Sequence, residues 1–186
     1  MDVALSTRIA GVVALALAGF APVTPGDEDA PTVSAIDLQR YAGTWHEQAR
    51  LPNRFQKHCV RDVSATYTPQ ADGSIEVLNQ CRRGDGSRDV AVGKAVVSDP
   101  RQPGLLDVTF LPKGLRWLPF GHADYRIVAL DEDYQWSIVG GKDRRYLWLL
   151  TRAQHVDPAQ RDVLVERARS LGYDTTRLQF SEPYQP

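Results

Sequence analysis

The chain has few of the residues on which metal and thiol chemistry depend. Its 186 residues contain only two Cys and four His. The His stand at positions 46, 58, 122 and 155, and none of them has the spacing of a metal site. The formal net charge is −1, without a stripe of Lys or Arg that would suit nucleic acid. We therefore expect no metal, no other cofactor and no nucleic-acid partner.

The chain also lacks a long apolar run. Residues 9–23 are apolar and small, but they are fewer than the roughly 20 that a transmembrane helix needs. Their length and their small residues are typical of a secretory signal peptide, which we place at residues 1–21. An uncleaved anchor is the alternative. Residues 22–34 are predicted to form a flexible leader, and residues 35–182 are predicted to form one domain.

What is present is a series of short alternating segments joined by turn residues. The clearest pair is 60–68 and 74–81, with Pro69-Gln70-Ala71-Asp72-Gly73 between them. Six further strands are predicted at 43–51, 89–98, 105–111, 124–131, 134–140 and 145–152. Short strands joined to their neighbours favour an antiparallel barrel or a sandwich. A closed barrel of eight strands has no edges and can hold one small ligand.

The pattern becomes helical after Asp157. Asp157 suits the N-cap, Pro158 suits the first helical position, and Gly172 suits the position just past the end. Apolar residues recur at helical spacing, namely Val163, Ala168 and Leu171. We therefore predict an all-β fold, an eight-stranded antiparallel up-and-down β-barrel, with one C-terminal α-helix packed outside.

The hairpin predicted at 60–81 brings the two cysteines together. Folding it about Gln70 aligns its apolar faces and gives three opposed pairs: Ala65 with Ile75, Val63 with Val77, and Cys59 with Cys81. In an exported chain, two Cys placed in this way favour a disulfide. The alternative is a pair of buried free thiols.

The segment Gly43-Thr44-Trp45-His46-Glu47 is the one around which the other predictions are organised. A Gly at a strand start permits a close backbone approach. Trp45 would then plug the closed end of a barrel, and Arg152 would lie across the indole face as a cation–π partner. The alternative is that Trp45 is an ordinary core aromatic.

Three motifs in this order carry a resemblance to a known family. They are Gly43 to Glu47, the segment Asp124-Tyr125-Arg126-Ile127-Val128-Ala129-Leu130-Asp131, and the segment Tyr146-Leu147-Trp148-Leu149-Leu150-Thr151-Arg152. Together with the terminal helix, these motifs cover nearly all of residues 36–180. This part of the chain resembles the lipocalin family, and within it the bacterial envelope lipocalins related to apolipoprotein D. The resemblance implies a structural motif formed by Gly43, Trp45, Glu47 and Arg152.

One position departs from the pattern of the best-known bacterial members. Those proteins carry a lipobox that ends in a lipidated Cys, whereas the similar string here, Leu17-Ala18-Gly19-Phe20, has Phe at that place. We therefore expect an exported protein without the lipobox cysteine, either periplasmic or secreted. Association with the outer membrane is the alternative.

The family resemblance implies an acyl-chain ligand inside the barrel, a fatty acid or a lysophospholipid carried in the cell envelope for membrane maintenance. A tetrapyrrole or a terpenoid is the alternative ligand. The strand faces give the following predicted ligand-binding residues: Val63, Ala65, Tyr67, Ile75, Val77, Asn79, Val108, Phe110, Tyr125, Ile127, Trp136, Ile138, Tyr146 and Trp148. Their apolar and phenolic composition suits a small-molecule pocket, although a solid core would use the same residues.

Two further groups are predicted to lie near the mouth. Four cations are candidates for contact with a lipid head group, namely Arg50, Arg54, Lys57 and Arg126. Trp117, Leu118 and Phe120 lie in a loop rich in Pro and Gly. This loop is either a lid or membrane-touching tip, or a contact with a neighbouring loop or a second copy. We expect a monomer or a homodimer, with peripheral membrane contact as one role of the loop.

The sequence gives little support to catalysis. His46 and Glu47 are the only adjacent pair of a His and a carboxylate, and neighbours in a strand point to opposite faces. A bridge between Cys59 and Cys81 would leave no thiol nucleophile. We therefore expect no catalytic residues and no enzyme, and an isomerase-type lipocalin is the least favoured alternative.

Overall fold

The structure is a computed structural model that describes residues 29–118 and 120–181. The predicted signal peptide (1–21), the first part of the leader (22–28), Pro119 and residues 182–186 lie outside the described residues. The helices and strands are α1 (Leu38–Tyr41), β1 (Gly43–Arg50), β2 (Cys59–Pro69), β3 (Ile75–Arg83), β4 (Arg88–Val97), β5 (Leu105–Thr109), β6 (His122–Leu130), β7 (Trp136–Gly140), β8 (Leu147–Thr151), α2 (Pro158–Ser170) and β9 (Gln179–Phe180), with short 3₁₀ turns at Lys113–Leu115 and Thr175–Arg177.

The first eight strands close into a barrel. Each strand pairs antiparallel with its neighbour in sequence, and β1 pairs with both β8 and β2, which joins the two ends of the sheet. The short strand β9 pairs with the end of β1, at Ala49 and Arg50, beyond the point where β2 leaves it. The predicted eight-stranded antiparallel barrel is therefore confirmed, with β9 as an addition.

The up-and-down order fixes which loops share an end. The helix α1 comes just before β1, and it lies at the same end as the β2–β3, β4–β5 and β6–β7 connections. We call this the closed end. The loops 51–58, 84–87, 110–121 and 141–146 lie at the opposite end, which we call the mouth.

The helix α2 covers the outside of the barrel, as predicted. The Asp157 carboxylate accepts a hydrogen bond of 2.7 Å from the Gln160 amide, which caps the first turn. One face of the helix buries Leu164 and Ala168, whereas Val163 is exposed. These two buried side chains pack with wall residues in what we call the helix cluster: Ala30, Ala49, Leu51, Val128, Ala129, Ile138, Leu147, Leu149, Leu164, Ala168 and Tyr173.

The predicted register of the β2–β3 hairpin is wrong, although its faces are right. Ala65 lies opposite Asn79 instead of Ile75, because the Asp72 side chain accepts the Ser74 amide and centres the turn on residue 72. From Ser64 to Pro69 the shift moves each pair by an even number of residues, so each residue there keeps its face. Two irregularities between Cys59 and Ser64 then move the register back. The disulfide consequently forms with 5.6 Å between the Cα atoms of Cys59 and Cys81.

The second part of the predicted flexible leader is held against the barrel wall. The Ala30 amide donates to the Lys142 carbonyl (2.9 Å), and the Val33 amide donates to the Ile127 carbonyl (2.8 Å). Ala30 is buried in the helix cluster. Backbone hydrogen bonds and the burial of Ala30 therefore place this part of the leader on the barrel wall.

A second apolar cluster fills the closed half of the barrel, and we call it the interior cluster. Its buried members are Tyr41, Trp45, Tyr67, Ile75, Val77, Ala95, Leu106, Val108, Ile127, Val139 and Leu150. Trp136 and Ile138 were expected to face this interior, but they pack in or against the helix cluster instead. The strand β7 is covered on both faces, so the sizes of its apolar residues do not reveal which face is inside.

Candidate ligand-binding site

The closed end is sealed by Trp45 and Arg152. Trp45 is fully buried, and its indole N–H donates to the Tyr41 carbonyl (2.8 Å). The Arg152 guanidinium carbon lies 3.8 Å from the centroid of the Trp45 ring. Gly43 has a φ of +94°, and an added Cβ would lie 3.4 Å from an Arg152 nitrogen. The glycine therefore supplies a backbone conformation that other residues rarely adopt, beside the arginine that covers the tryptophan.

A cluster of hydroxyl groups lies just inside this seal. The Tyr125 hydroxyl is 2.7 Å from that of Tyr67 and 3.0 Å from that of Tyr41, which in turn is 3.3 Å from the Ser137 hydroxyl. Burial raises the pKa of all three tyrosines, so each remains a neutral phenol. We call these four side chains the phenol floor.

The inward-facing residues become more exposed from the floor towards the mouth. Tyr67 and Tyr41 are buried, whereas Tyr125 is only half-buried. Further up, Ala65 and Asn79 are half-buried and Ala91 is exposed, although the β2–β3–β4 pairing places all three on one face. Solvent therefore reaches the inner wall as far as Tyr125, so the interior is filled at the closed end and open above it.

Aromatic rings line the mouth. The rings of Tyr146 and Trp148 are stacked with 6.0 Å between their centroids, and Phe55 lies 5.8 Å from Tyr146. Across the barrel, Phe110 follows β5 and is 43% exposed. Its ring occupies the space beside Gly93, where an added Cβ would meet it at 2.8 Å. Gly93 faces the interior because it pairs with Val77, so Phe110 lies on the inner side of the rim.

A buried polar network ties the 51–58 loop to the barrel. Glu47 and Arg50 form an ion pair with 2.5 Å between Oε1 and Nη1, and both side chains are almost fully buried. The Gln56 side chain donates through Nε2 to the other Glu47 oxygen (2.8 Å), and its Oε1 accepts the Trp148 indole N–H (2.7 Å). Glu47 therefore acts towards the mouth.

The four predicted head-group cations fall into two groups. Arg50 is buried against Glu47, and Arg126 is buried on the outer wall, where it donates to the Ala30 carbonyl (2.7 Å). Both expectations are corrected, because these guanidinium groups are committed to structural partners. Arg54 and Lys57 are exposed in the 51–58 loop, beside the mouth.

The disulfide lies at the base of the same loop. Cys59 and Cys81 are buried with Val63 in a small cluster of their own. His58 lies 2.6 Å from an Asp89 oxygen, so the loop is linked to β4 as well as to β3. Both cysteines are bonded, so the chain, which has only these two, has no free thiol.

The 110–121 loop presents large apolar residues to solvent. Trp117 is 77% exposed and Phe120 is 65% exposed. The base of the loop is held by His122, whose two ring nitrogens lie 2.8 Å from an Asp107 oxygen and 2.9 Å from the Arg116 carbonyl. The hydrogen bond with Asp107 raises the pKa of His122. A groove of about 480 Å³ lies beneath this loop, on the outer wall, and Lys94, Val96, Lys113 and Arg116 are among its lining residues.

Comparison with known proteins agrees with this geometry. The model of the lipocalin-like domain matches residues 36–183. The chain belongs to the lipocalin family. Temperature-induced lipocalin-1 of Arabidopsis thaliana is 37% identical over 78% of this chain and 78% of its own. The outer membrane lipoprotein Blc of Escherichia coli K12 is 31% identical over 92% and 95% of the two chains.

The predicted resemblance to apolipoprotein D is also found. Apolipoprotein D of Macaca fascicularis is 28% identical to this lipocalin over 90% of its chain and 91% of the relative. Among solved structures, lobster apocrustacyanin A1 superposes with a TM-score of 0.60 at 15% identity, covering 86% of this lipocalin and 93% of that chain. At this identity, the structural match bears on the fold alone.

No helix within residues 29–118 and 120–181 of this lipocalin is long and apolar enough to cross a membrane. The expectations for the signal peptide and for the lipobox position concern residues outside the described part.

The predicted ligand-binding residues of this lipocalin divide by position. Those in or against the interior cluster are Ala65, Tyr67, Ile75, Val77, Val108, Tyr125, Ile127 and Trp148. Asn79, Phe110 and Tyr146 lie higher, on the inner wall or at the mouth. Val63 packs with the disulfide, and Trp136 and Ile138 lie on the helix side. The structure thus brings eleven of the fourteen to the interior or its mouth.

Several residues of the site were not predicted. Ser137 and Val139 face inward on β7, in the places expected for Trp136 and Ile138. Tyr41 joins the phenol floor from α1, outside any strand pattern. Gln56 lies in a loop without periodicity, and only the Asn53 side chain, which accepts the Gln56 amide, marks an ordered turn there.

Proposed function

We propose that this lipocalin binds a single-chain lipid, a fatty acid or a lysophospholipid, inside the barrel, with the head group at the mouth. The single observation that carries the proposal is the graded exposure of the inner wall. Ala65 and Asn79 face inward but are half-buried, so an apolar chain entering there would remove their surface from water. Membership of the lipocalin family supports a small hydrophobic ligand.

The charge at the mouth supports an anionic or zwitterionic head group. Arg54 and Lys57 are exposed beside the aromatic rim, and neither forms an ion pair within the described residues. Phe55 and Tyr146 would contact the first carbons of the chain, while these cations contact a carboxylate or a phosphate. An apolar tube with cations at its entrance suits a ligand that is charged at one end.

A fluorescence titration tests this arrangement. Trp148 lies on the inner wall, so a fatty acid or a lysophospholipid entering the barrel should change its emission. Ala65→Trp should block the space and weaken binding by about tenfold or more, because a large ring would replace a methyl group. Arg54→Glu with Lys57→Glu should weaken binding of the anionic lipid several-fold, whereas Arg101→Glu, at the closed end, should not. Failure of both lipids to bind would contradict the proposal.

We place this role in the bacterial cell envelope, as a carrier that maintains membranes. The outer membrane lipoproteins named Blc in Escherichia coli and Vibrio cholerae are 31% and 35% identical to this chain, which supports an envelope location. The exposed Trp117 and Phe120, with Lys113 and Arg116 beside them, suit transient contact with a lipid surface near the mouth.

Sedimentation with vesicles tests the membrane contact. Vesicles that contain phosphatidylglycerol should retain the wild-type protein better than the variant Trp117→Ser with Phe120→Ser. Val163→Ser on α2 is the matched control, because Val163 is 66% exposed but lies away from the mouth. Equal retention of the loop variant and the wild type would contradict a membrane role for the loop.

The alternatives can be separated from this proposal. For an acyl ligand, affinity should rise with chain length, since each buried CH₂ contributes about 0.8 kcal/mol. A rigid tetrapyrrole or terpenoid would show no such series. We propose a binding role and not a catalytic one, because the Glu47 oxygens are occupied by Arg50, Gln56 and Ser181. Turnover that survives Cys59→Ser with Cys81→Ser and is lost in His46→Ala would support an isomerase instead.

A further inference from the structure

The phenol floor has one more hydroxyl proton than its internal hydrogen bonds use. Three short contacts link its four hydroxyls in the order Tyr67, Tyr125, Tyr41, Ser137. Each hydroxyl has one proton and can accept as well as donate, so the three links use three of the four protons. A further contact, from Ser137 to the Ala129 carbonyl, is long at 3.5 Å.

The position of the spare proton follows from exposure. Tyr67, Tyr41 and Ser137 are buried, at 3%, 1% and 0% exposure, whereas Tyr125 is half-buried. Tyr125 is also the junction of the network, with a phenol on each side. When Tyr67 and Tyr41 both donate to it, and Ser137 donates to Tyr41, the Tyr125 proton is left for a ligand oxygen.

We infer that the Tyr125 hydroxyl, supported by Tyr67 and Tyr41, is a hydrogen-bonding subsite for an oxygen atom at the deep end of the ligand. The ligand class is a single-chain lipid with a hydroxyl or carbonyl oxygen on its buried end, opposite the charged head group. This inference rests on the proposed function, because it places a lipid in the barrel, and it adds the chemistry that the floor selects.

Because the phenol floor is uncharged, it favours a neutral oxygen atom on the ligand over a carboxylate. Burial keeps all three phenols protonated, and the ion pair of Arg50 with Glu47 lies towards the mouth. The Arg152 guanidinium at the closed end is engaged by the Trp45 ring and by three backbone carbonyls. A second carboxylate at the deep end would therefore be buried without a free countercharge, which is costly. A hydroxyl or ketone oxygen loses its water but gains a phenol donor. A plain methyl end gains nothing from the hydroxyl group.

The test compares alkanoic acids with their ω-hydroxy counterparts of the same chain length, on the wild-type protein. Burying a hydroxyl without a partner would weaken binding by tenfold or more, whereas a phenol partner offsets that loss. We expect the ω-hydroxy acid to bind at least as tightly as the alkanoic acid at the length that reaches the floor. Weaker binding of the ω-hydroxy acid at every length would overturn the inference.

A matched pair of variants locates the effect. In Tyr125→Phe, the affinity ratio of the ω-hydroxy acid to the alkanoic acid should fall about tenfold. Tyr173→Phe is the control, because Tyr173 is buried outside the barrel and its hydroxyl has no hydrogen-bond partner among the described residues. An unchanged ratio in Tyr125→Phe would overturn the inference.

The two proposals fail in different ways. Binding of neither acid to the wild-type protein would contradict lipid binding itself, and the subsite with it. Binding of both acids with a preference for the methyl end would leave lipid binding intact and would overturn the subsite alone.

Discussion

Arg152 holds Trp45 in place by covering its ring and by donating to the backbone around it. The guanidinium lies 3.8 Å from the ring centroid, and its nitrogens donate to the carbonyls of Thr44 (3.0 Å), Arg40 (2.7 Å) and Tyr41 (3.1 Å). One side chain from the end of β8 therefore fixes α1, the start of β1 and the indole that seals the barrel.

Removal of this side chain should destabilise the barrel. We expect Arg152→Ala to lower the free energy of unfolding by about 2–4 kcal/mol, because it removes a cation–π contact and several charge-assisted hydrogen bonds. Urea denaturation measures the loss. Arg101→Ala is the control, because that side chain is almost fully exposed, and its removal should change stability by less than about 0.5 kcal/mol. Equal stability of the two variants would show that the closed end does not depend on Arg152.

The disulfide should contribute to stability through the loop that it closes. Cys59 and Cys81 are 22 residues apart, so the bond restricts the unfolded chain by about 3 kcal/mol on the chain-entropy model. The double variant Cys59→Ser with Cys81→Ser should unfold at correspondingly lower urea. A variant as stable as the oxidised wild type would contradict this estimate. Free thiols in the native protein, counted with a thiol reagent, would contradict the bond itself.

Glu47 and Arg50 should be coupled, because each is the buried countercharge of the other. Glu47→Gln alone leaves Arg50 buried without its carboxylate and should cost about 3–5 kcal/mol. The double variant Glu47→Gln with Arg50→Gln should cost less than the sum of the two single variants. Glu47→Gln should also shift the Trp148 emission, because Gln56 links the two side chains. Strict additivity in the double-mutant cycle would indicate that the ion pair is not coupled.

His122 should hold the base of the 110–121 loop in a pH-dependent manner. Both ring nitrogens face acceptors, so only the imidazolium donates to Asp107 and to the Arg116 carbonyl together. The pKa of His122 is raised above its ordinary value of 6.5, chiefly by the hydrogen bond with Asp107. The stabilisation is therefore full below pH 6.5 and is lost as the pH rises through the folded-state pKa.

Titration of His122 by NMR checks this prediction. The pKa should be above 6.5 in the wild-type protein and should fall in Asp107→Asn, where the carboxylate is absent. The Trp117 resonances should report loosening of the loop at the higher pH. A pKa that does not respond to Asp107→Asn would contradict the pairing.

Most of the fold followed from local patterns in the sequence. The alternation of apolar and polar residues predicted eight strands. Asp157 and Pro158 marked the start of α2, and the Gly43-x-Trp45 motif located the closed end. The disulfide pair was also predictable, because an even error in register keeps residues on the same face.

The remainder depended on contacts that the pattern does not contain. The choice between Ile138 and Val139 for the interior is set by α2, which covers the opposite face of β7. The commitment of Arg126 to the leader and of Arg50 to Glu47 is a matter of tertiary packing. The phenol floor joins side chains from α1, β2, β6 and β7, so no local segment reveals it.

Native mass spectrometry of the protein purified from a bacterial periplasm tests the central claim most directly. The same sample is then denatured and extracted to identify what was bound, and the native spectrum also distinguishes a monomer from a homodimer. We predict a stoichiometric fatty acid or lysophospholipid, or uptake of one when the purified protein is incubated with it. A protein that carries no lipid and fails to take up either class would contradict the account.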